Sequence, residues 1–346
     1  MPVGIDDVAR AAGVSTATVS RALRGLPDVR ASTRVHVQQV AQSLGYAPTP
    51  SAVSLASGRT RTIGLLTPWV ARWFHSNVIE GACRSLRGAG FDALLSSFEI
   101  HDDATRPPVK LDVLRRRVDG VLVAGMTMSP VEVAMLESLA VPLVYVGSGP
   151  PDQVLVHVDD VATARRATEH LLELGHTRIG HIGGYPTEPT PWASEVERAA
   201  GYAAAMRAAG LPPDPALMAY GRFERTGGRS GAAELLDRVP DLTAVVADSD
   251  EMAFGVIDVL RERGLRAPDD LSVIGIDGHP LGDLVGLTTL AQDAVSLGEV
   301  AARLLLEMIG GASVDREAVF PTTLLDRGST CPVPEPADTT GSEDLT

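Results

Sequence analysis

The chain has 346 residues, 45% hydrophobic and 21% charged, and a formal net charge of −14. That length fits two or three globular domains. The two cysteines, Cys83 and Cys331, lie far apart with no Cys-x-x-Cys spacing, which argues against a disulfide framework or a cysteine metal centre. No basic-then-apolar leader and no apolar run of membrane-spanning length is present, so the expectation is a cytoplasmic protein without membrane contact.

Charge is unevenly divided. Residues 1–62 carry seven arginines against three aspartates, a formal +4, and the remainder carries 23 basic against 41 acidic residues, a formal −18. A basic head on an acidic body can dock on a polyanion through the head alone.

In the head, Ile5, Val8, Ala9 and Ala12 repeat at i, i+3, i+4 and i+7, the apolar stripe of a short amphipathic helix. Gly13 stops it, and Ser15 suits the N-cap of a second helix whose inward face is Val19, Ala22 and Leu23. Thr16, Ala17, Ser20 and Arg21 then point outward together. Short side chains at the start of a helix let its backbone enter a major groove about 12 Å wide, where Thr and Ala meet base edges or thymine methyls and arginine forks onto guanine. A third helix is predicted from about Ser32 to Leu44, with Val37, Val40, Ala41 and Leu44 on one face and Gly45 as its stop.

The run "DVARAAGVSTATVSRAL" (Asp7 to Leu23) resembles the helix-turn-helix of the LacI/GalR family of bacterial transcription regulators. The run "LGYAPTPSAVSLASGRTRTIGLL" (Leu44 to Leu66) is similar to that family's hinge and first body strand, and the likeness continues through "VDGVLVAG", "HLLELGHTRIGHIGG", "ADSDEMAFG", "LSVIGIDG" and "LTTLAQD" to "PTTLLDRGST". The resemblance implies base reading by Thr16, Ala17 and Arg21, with helix support or phosphate contact from Ser15, Thr18 and Ser20. It also implies that Leu55 wedges into the minor groove. Thr49 and Val53 depart from the family's usual asparagine and arginine there.

Beyond Thr62, apolar runs alternate with longer helical patterns, a βαβ alternation that predicts parallel sheets covered by helices on both faces. The family resemblance implies the finer division of this α/β chain: a three-helix helix-turn-helix domain (1–48), a hinge (49–61), and a two-lobed, periplasmic-binding-protein-like body (62–330). One lobe is expected from about Thr62 to Leu155 with a return near residues 291 to 321. The Pro-rich, acidic segment 331–346 is expected to be disordered.

Ligand is expected in the cleft, at the carboxyl ends of the strands. "TPWVARWFHSN" concentrates Trp69, Trp73 and Phe74 in a chain with 4% aromatics. Trp73 and Phe74 are the candidates to stack on the apolar face of a sugar ring, and Trp69 is read as packing. The resemblance adds Arg198, whose donors suit paired hydroxyls or a carboxylate, and Asp277. Asp248 and Ser249 close an equivalent strand end. Arg72-Trp73-Phe74 stands where many relatives have Asn-Pro-Phe, and Ser249-Asp250 where many have Asn-Asp, so a retuned site is expected.

The run Gly180 to Gly184 lacks the spacing of a nucleotide-binding turn, and the histidines lack metal-ligand spacing. No nucleophile elbow is present. The expectation is a non-enzymatic, homodimeric regulator without cofactor or metal, a repressor of carbohydrate uptake or catabolism genes. Its expected partners are operator DNA and a mono- or oligosaccharide effector. The alternatives are a sugar-binding transport receptor on the same fold and a purine- or nucleoside-responsive regulator.

Overall fold

The computed structural model describes residues 3–46, 59–98, 107–184 and 190–333. It divides into two compact units, Met1–Arg61 and Thr62–Thr346. Hinge residues Thr49, Val53 and Leu55, and the tail from residue 334, lie outside the described residues.

Among its described residues the first unit has three helices, α1 (Ile5–Ala12), α2 (Thr16–Leu23) and α3 (Ala31–Ser43). Val8, Ala9, Ala12, Val19, Ala22, Val37 and Ala41 are buried in one small core. Gly13 ends α1 at φ 65, a left-handed backbone that costs glycine nothing. Leu44, expected on the inward face of α3, is instead 37% exposed. It follows the last helical turn, and Tyr46 packs against the core in its place.

The second unit contains two six-stranded sheets. Lobe one contains β1 (Thr62–Thr67), α4 (Trp73–Gly88), β2 (Asp92–Ser97), β3 (Gly120–Ala124), α5 (Pro130–Glu137), β4 (Leu143–Val146) and β5 (Val154–Val158). Lobe two contains α6 (Asp160–Glu173), β6 (Ile179–Gly184), α7 (Ser194–Ala208), β7 (Met218–Gly221), α8 (Arg225–Arg238), β8 (Ala244–Ala247), α9 (Asp250–Glu262), β9 (Ser272–Asp277), α10 (Gly282–Val285) and β10 (Thr288–Ala291). The chain then returns to lobe one as α11 (Ala294–Ile309) and β11 (Glu317–Phe320), and crosses once more to β12 (Thr323–Leu325).

The strand orders are β2-β1-β3-β4-β5-β11 and β7-β6-β8-β9-β10-β12. Every pairing is parallel except that of β12 with β10. In each sheet the order reverses between corresponding strands, β1/β3 and β6/β8, where loops diverge and leave a crevice at the carboxyl ends. Apolar cores lie on both faces of each sheet. This buries the strands and explains their continuous apolar runs.

Glycine sets how closely the covering helices cross. A Cβ at Gly298 of α11 would stand 2.1 Å from the Val78 carbonyl of α4, and one at Gly228 of α8 would stand 2.0 Å from the Met252 carbonyl of α9. The start of the acidic tail is ordered, against expectation. Cys331 donates its N–H to Ser272 Oγ at 3.0 Å and accepts from His176 Nε2 at 2.9 Å, and Val333 N–H donates to the Leu174 carbonyl at 3.0 Å.

Candidate functional site

Between the lobes of the second unit lies a cavity of about 150 Å³. Lobe one lines it with Trp69 after β1, Phe74 and His75 at the start of α4, and the strand-end loops at Gly125 and Gly147. The Phe74 ring lies against those two glycines: a Cβ would approach it to 3.0 Å at Gly125 and 3.1 Å at Gly147. Lobe two contributes Asp160, Glu195, Arg198, Phe223, Ser249, Glu251 and Asp277, and Gln292 joins them from the crossover.

Arg198 is the charged centre. Its Nε donates to Asp160 Oδ1 at 2.6 Å, and its Nη1 donates to the Asp248 carbonyl. Burial opposes its charge, but the Asp160, Asp277 and Asp248 carboxylates outweigh that and raise its pKa further. Asp277 accepts from Gln292 Nε2 at 2.8 Å; burial, reinforced by nearby Asp250, pushes its carboxyl well above the usual range. Its φ of 139° is rare for a non-glycine residue and is held by the strand end on which it sits. Burial raises Glu195 to about 7 and lowers His75 to about 4, so His75 is a neutral imidazole, with Nε2 3.2 Å from the Gly125 carbonyl. The cavity thus offers three aromatic faces, carboxyl oxygens and one buried guanidinium, a surface suited to a compact polyhydroxylated molecule.

A second set of contacts closes the lobes on each other. Arg72 Nη1 donates to the Arg222 and Phe223 carbonyls at 3.0 and 2.8 Å, and its Nη2 pairs with Glu224 at 2.9 Å. Its guanidinium also stands 4.4 Å from the Trp69 ring centre. From the other side, Glu251 of α9 accepts the Trp73 backbone N–H at 2.9 Å, so an acid of lobe two caps the first turn of α4.

Of the expected effector residues, Phe74, Arg198, Ser249 and Asp277 line this cavity. Trp73 does not: its ring packs toward His279, at 5.8 Å, and Trp69 lines the wall instead. Asp248 also turns away. Its carboxylate is fully buried against His181 Nε2 at 2.8 Å and the Gly184 N–H at 3.1 Å, and only its carbonyl reaches Arg198. Ser249 spends its hydroxyl as N-cap of α9, accepting from Met252 N–H at 3.2 Å. Asp160, Glu195, Phe223, Glu251, Gln292, His75 and Arg72 were missed. Acids in the first turn of a helix after a strand were the available signal, but they equally suit the helix dipole.

On the first unit, Ser15, Thr16, Ala17 and Arg21 are exposed, and Thr18 and Ser20 are half-buried. Ser15 Oγ accepts the Thr18 N–H at 3.1 Å and lies 2.9 Å from the Thr18 hydroxyl, so both side chains serve the helix start. Arg21 lies 3.5 Å from Asp28, and both are half exposed. Thr16, Ala17 and Arg21 are therefore the open face of α2.

A helix-turn-helix unit joined to a two-lobed body with an inter-lobe cavity defines a ligand-binding, DNA-binding regulator architecture. Residues 4–49 match the family model described as bacterial regulatory proteins, lacI family, and residues 168–330 match a periplasmic binding protein-like domain. The chain is 34% identical over 337 residues to the transcriptional regulator CelR of Thermobifida fusca, covering 94% of this chain and 97% of that protein. It is 33% identical over 334 residues to the transcriptional repressor CytR of Escherichia coli, covering 95% and 96%. Among solved structures, a CelR–cellobiose complex matches with TM-score 0.70 at 32% identity, covering 94% of this chain and 99% of that one. The lac repressor dimer bound to operator and the anti-inducer ONPF matches with TM-score 0.82 at 25% identity, covering 96% and 100%. The chain belongs to the lacI family of bacterial transcription regulators. These relatives are named as regulators rather than enzymes, and no helix among the described residues is long and apolar enough to cross a membrane.

The raised Glu195 carboxyl has a consequence for stability. In the folded protein it holds its proton to about pH 7, against 4.5 in an unfolded chain. Its neutral form therefore contributes stability that is fully present below pH 4.5 and is lost as pH rises through 7. In denaturant titrations, Glu195→Gln should gain on the parent chain between those pH values and hold a constant margin above them. A margin that does not widen across this window contradicts the assignment.

Proposed function

We propose that this regulator is a cytoplasmic, homodimeric repressor of carbohydrate uptake or catabolism genes, controlled by a neutral mono- or oligosaccharide held between the lobes. The observation that carries this reading is the cavity itself. Trp69, Phe74 and Phe223 supply apolar ring faces, while Glu195, Asp277, Gln292 and Arg198 supply acceptors and donors for hydroxyls. The relative CelR, solved with cellobiose, supports the ligand class. The lac repressor, solved as a dimer on operator, supports the assembly and the DNA target. Leu55 is proposed as the minor-groove wedge. In this role Phe74, Arg198, Ser249 and Asp277 contact the effector, whereas Asp248 acts through Arg198 and Trp73 through the lobe contact.

Calorimetric titration of the intact protein with glucose, ribose, cellobiose and a purine base tests the ligand class. Binding of at least one sugar, with no binding of the purine, is expected; the reverse pattern establishes the nucleobase alternative.

Thr16, Ala17 and Arg21 are proposed to read bases in the major groove. Arg21→Ala should weaken operator binding by roughly 1–3 kcal/mol, the range of one bidentate guanine contact, and leave random-sequence DNA almost unaffected. Equal losses on both would make Arg21 a phosphate contact only.

A further inference from the structure

The loop before β3 carries the sequence Lys110-Leu-Asp-Val-Leu-Arg-Arg-Arg117 in a body whose formal charge is −18. Lys110 is the only lysine in the sequence. The side chains of Lys110, Arg115, Arg116 and Arg117 are exposed, and none makes an ion pair or hydrogen bond among the described residues. Of the other exposed arginines of the body, Arg84, Arg165, Arg225 and Arg303 each pair with a carboxylate, whereas Arg87, Arg207, Arg261 and Arg316 stand singly; what distinguishes this loop is four such cations within eight residues. Asp112 and Asp119 share residues 107–119 with these four cations, an excess of two positive charges there, while Glu99, Asp102, Asp103 and Arg106 precede that stretch in the sequence. Arg115 and Arg116 rim a shallow hollow completed by Ser138 and Leu139 before β4.

Position gives this cluster its meaning. The loop and the turn before β4 lie at the amino-terminal ends of the strands in lobe one, the edge opposite the ligand cavity. The Asp119 N–H donates to the Thr62 carbonyl at 2.8 Å, so the loop sits where the chain arriving from the helix-turn-helix unit enters the body. Residues 44–61 connect the end of α3 to that point, a span of at most about 65 Å when fully extended. Any duplex bound by the first unit is thus tethered to this edge of the body by that length of chain.

We propose that Lys110, Arg115, Arg116 and Arg117 form a second, sequence-independent contact to DNA, binding backbone phosphates beside the operator. The chemistry fits because phosphate is recognised by unpaired arginine and lysine donors without base readout. An otherwise acidic body is repelled by the duplex, and a cationic edge lowers that repulsion at the point where the connecting chain enters the body. The contact goes beyond the effector reading and stands whatever ligand fills the cavity.

The test is the salt dependence of DNA binding by the full-length protein, measured on operator and on random-sequence duplex. R115Q/R116Q/R117Q should weaken both by a similar factor, on the order of tenfold near 0.1 M salt, and reduce the slope of log affinity against log salt by roughly 1–3 per protomer. The charge-matched control R165Q/R266Q/R303Q should leave the slope unchanged. Each single glutamine variant should remove up to about 1 from the slope, which keeps the test available if the triple variant does not fold. An unchanged slope in the loop variants, as expected if the cluster serves an acidic protein, overturns the proposal. An equal fall in the control overturns it too, because net charge alone then suffices. Failure of base reading by Arg21 would appear separately, as a loss of operator preference.

Discussion

The ion pair between Arg198 and Asp160, buried at the wall of the cleft, is the interaction on which the rest of the site depends. It joins the first residue of α6, the second turn of α7 and, through the Asp248 carbonyl, the end of β8. The crossover after β5, the amino-terminal part of α7 and the end of β8 are thereby fixed around one guanidinium. Such a pair is weak evidence for stability in itself, since desolvation offsets much of the Coulomb attraction. Its value here is positional. Removing either partner would strand a buried charge, at a cost of about 3–5 kcal/mol, so the sequence must keep both or replace both.

With lobe two's wall fixed, the contacts that join it to lobe one set the width of the cleft. Arg72 and Glu251 reach across in opposite directions, one to backbone carbonyls at 222 and 223, the other to the N–H of Trp73. These contacts hold the cleft closed. A molecule that fills the cavity touches both lobes at once, and can shift the equilibrium between closed and open forms only by binding one of them more tightly. Lobe one receives the chain from the DNA-binding unit at Thr62, so a change in lobe angle has a covalent route to the DNA-binding unit.

Much of the fold was legible because it rests on periodicity. The α1 stripe, the glycine stop and the Ser15 cap are local signals, and the parallel sheets follow from apolar runs alternating with helices. Leu44 illustrates the limit: its phase was right for an inward face, but the helix had ended and Tyr46 filled the space. The site was harder. Whether Trp69 or Trp73 faces the cavity depends on how the first turn of α4 is rotated against the sheet, and Glu251 of the other lobe fixes that rotation. Asp248 sits at the expected strand end, yet its carboxylate is consumed by His181, a partner 67 residues away in sequence. Glu195 and Asp160 carry no local mark, because an acid in a helix's first turn suits the dipole whether or not it lines a cavity.

The central claim is that one molecule in the cleft and one duplex on the helix-turn-helix unit bias the same lobe equilibrium. Linkage then requires that each change the other's affinity by the same factor, typically 5- to 150-fold, or roughly 1–3 kcal/mol. The direct measurement is a calorimetric titration of the intact protein with its sugar, carried out in the absence and presence of saturating operator, alongside operator titrations with and without that sugar. The account predicts two equal ratios that differ from one, and their loss in Arg198→Ala. A sugar that binds tightly while leaving operator affinity unchanged would contradict it.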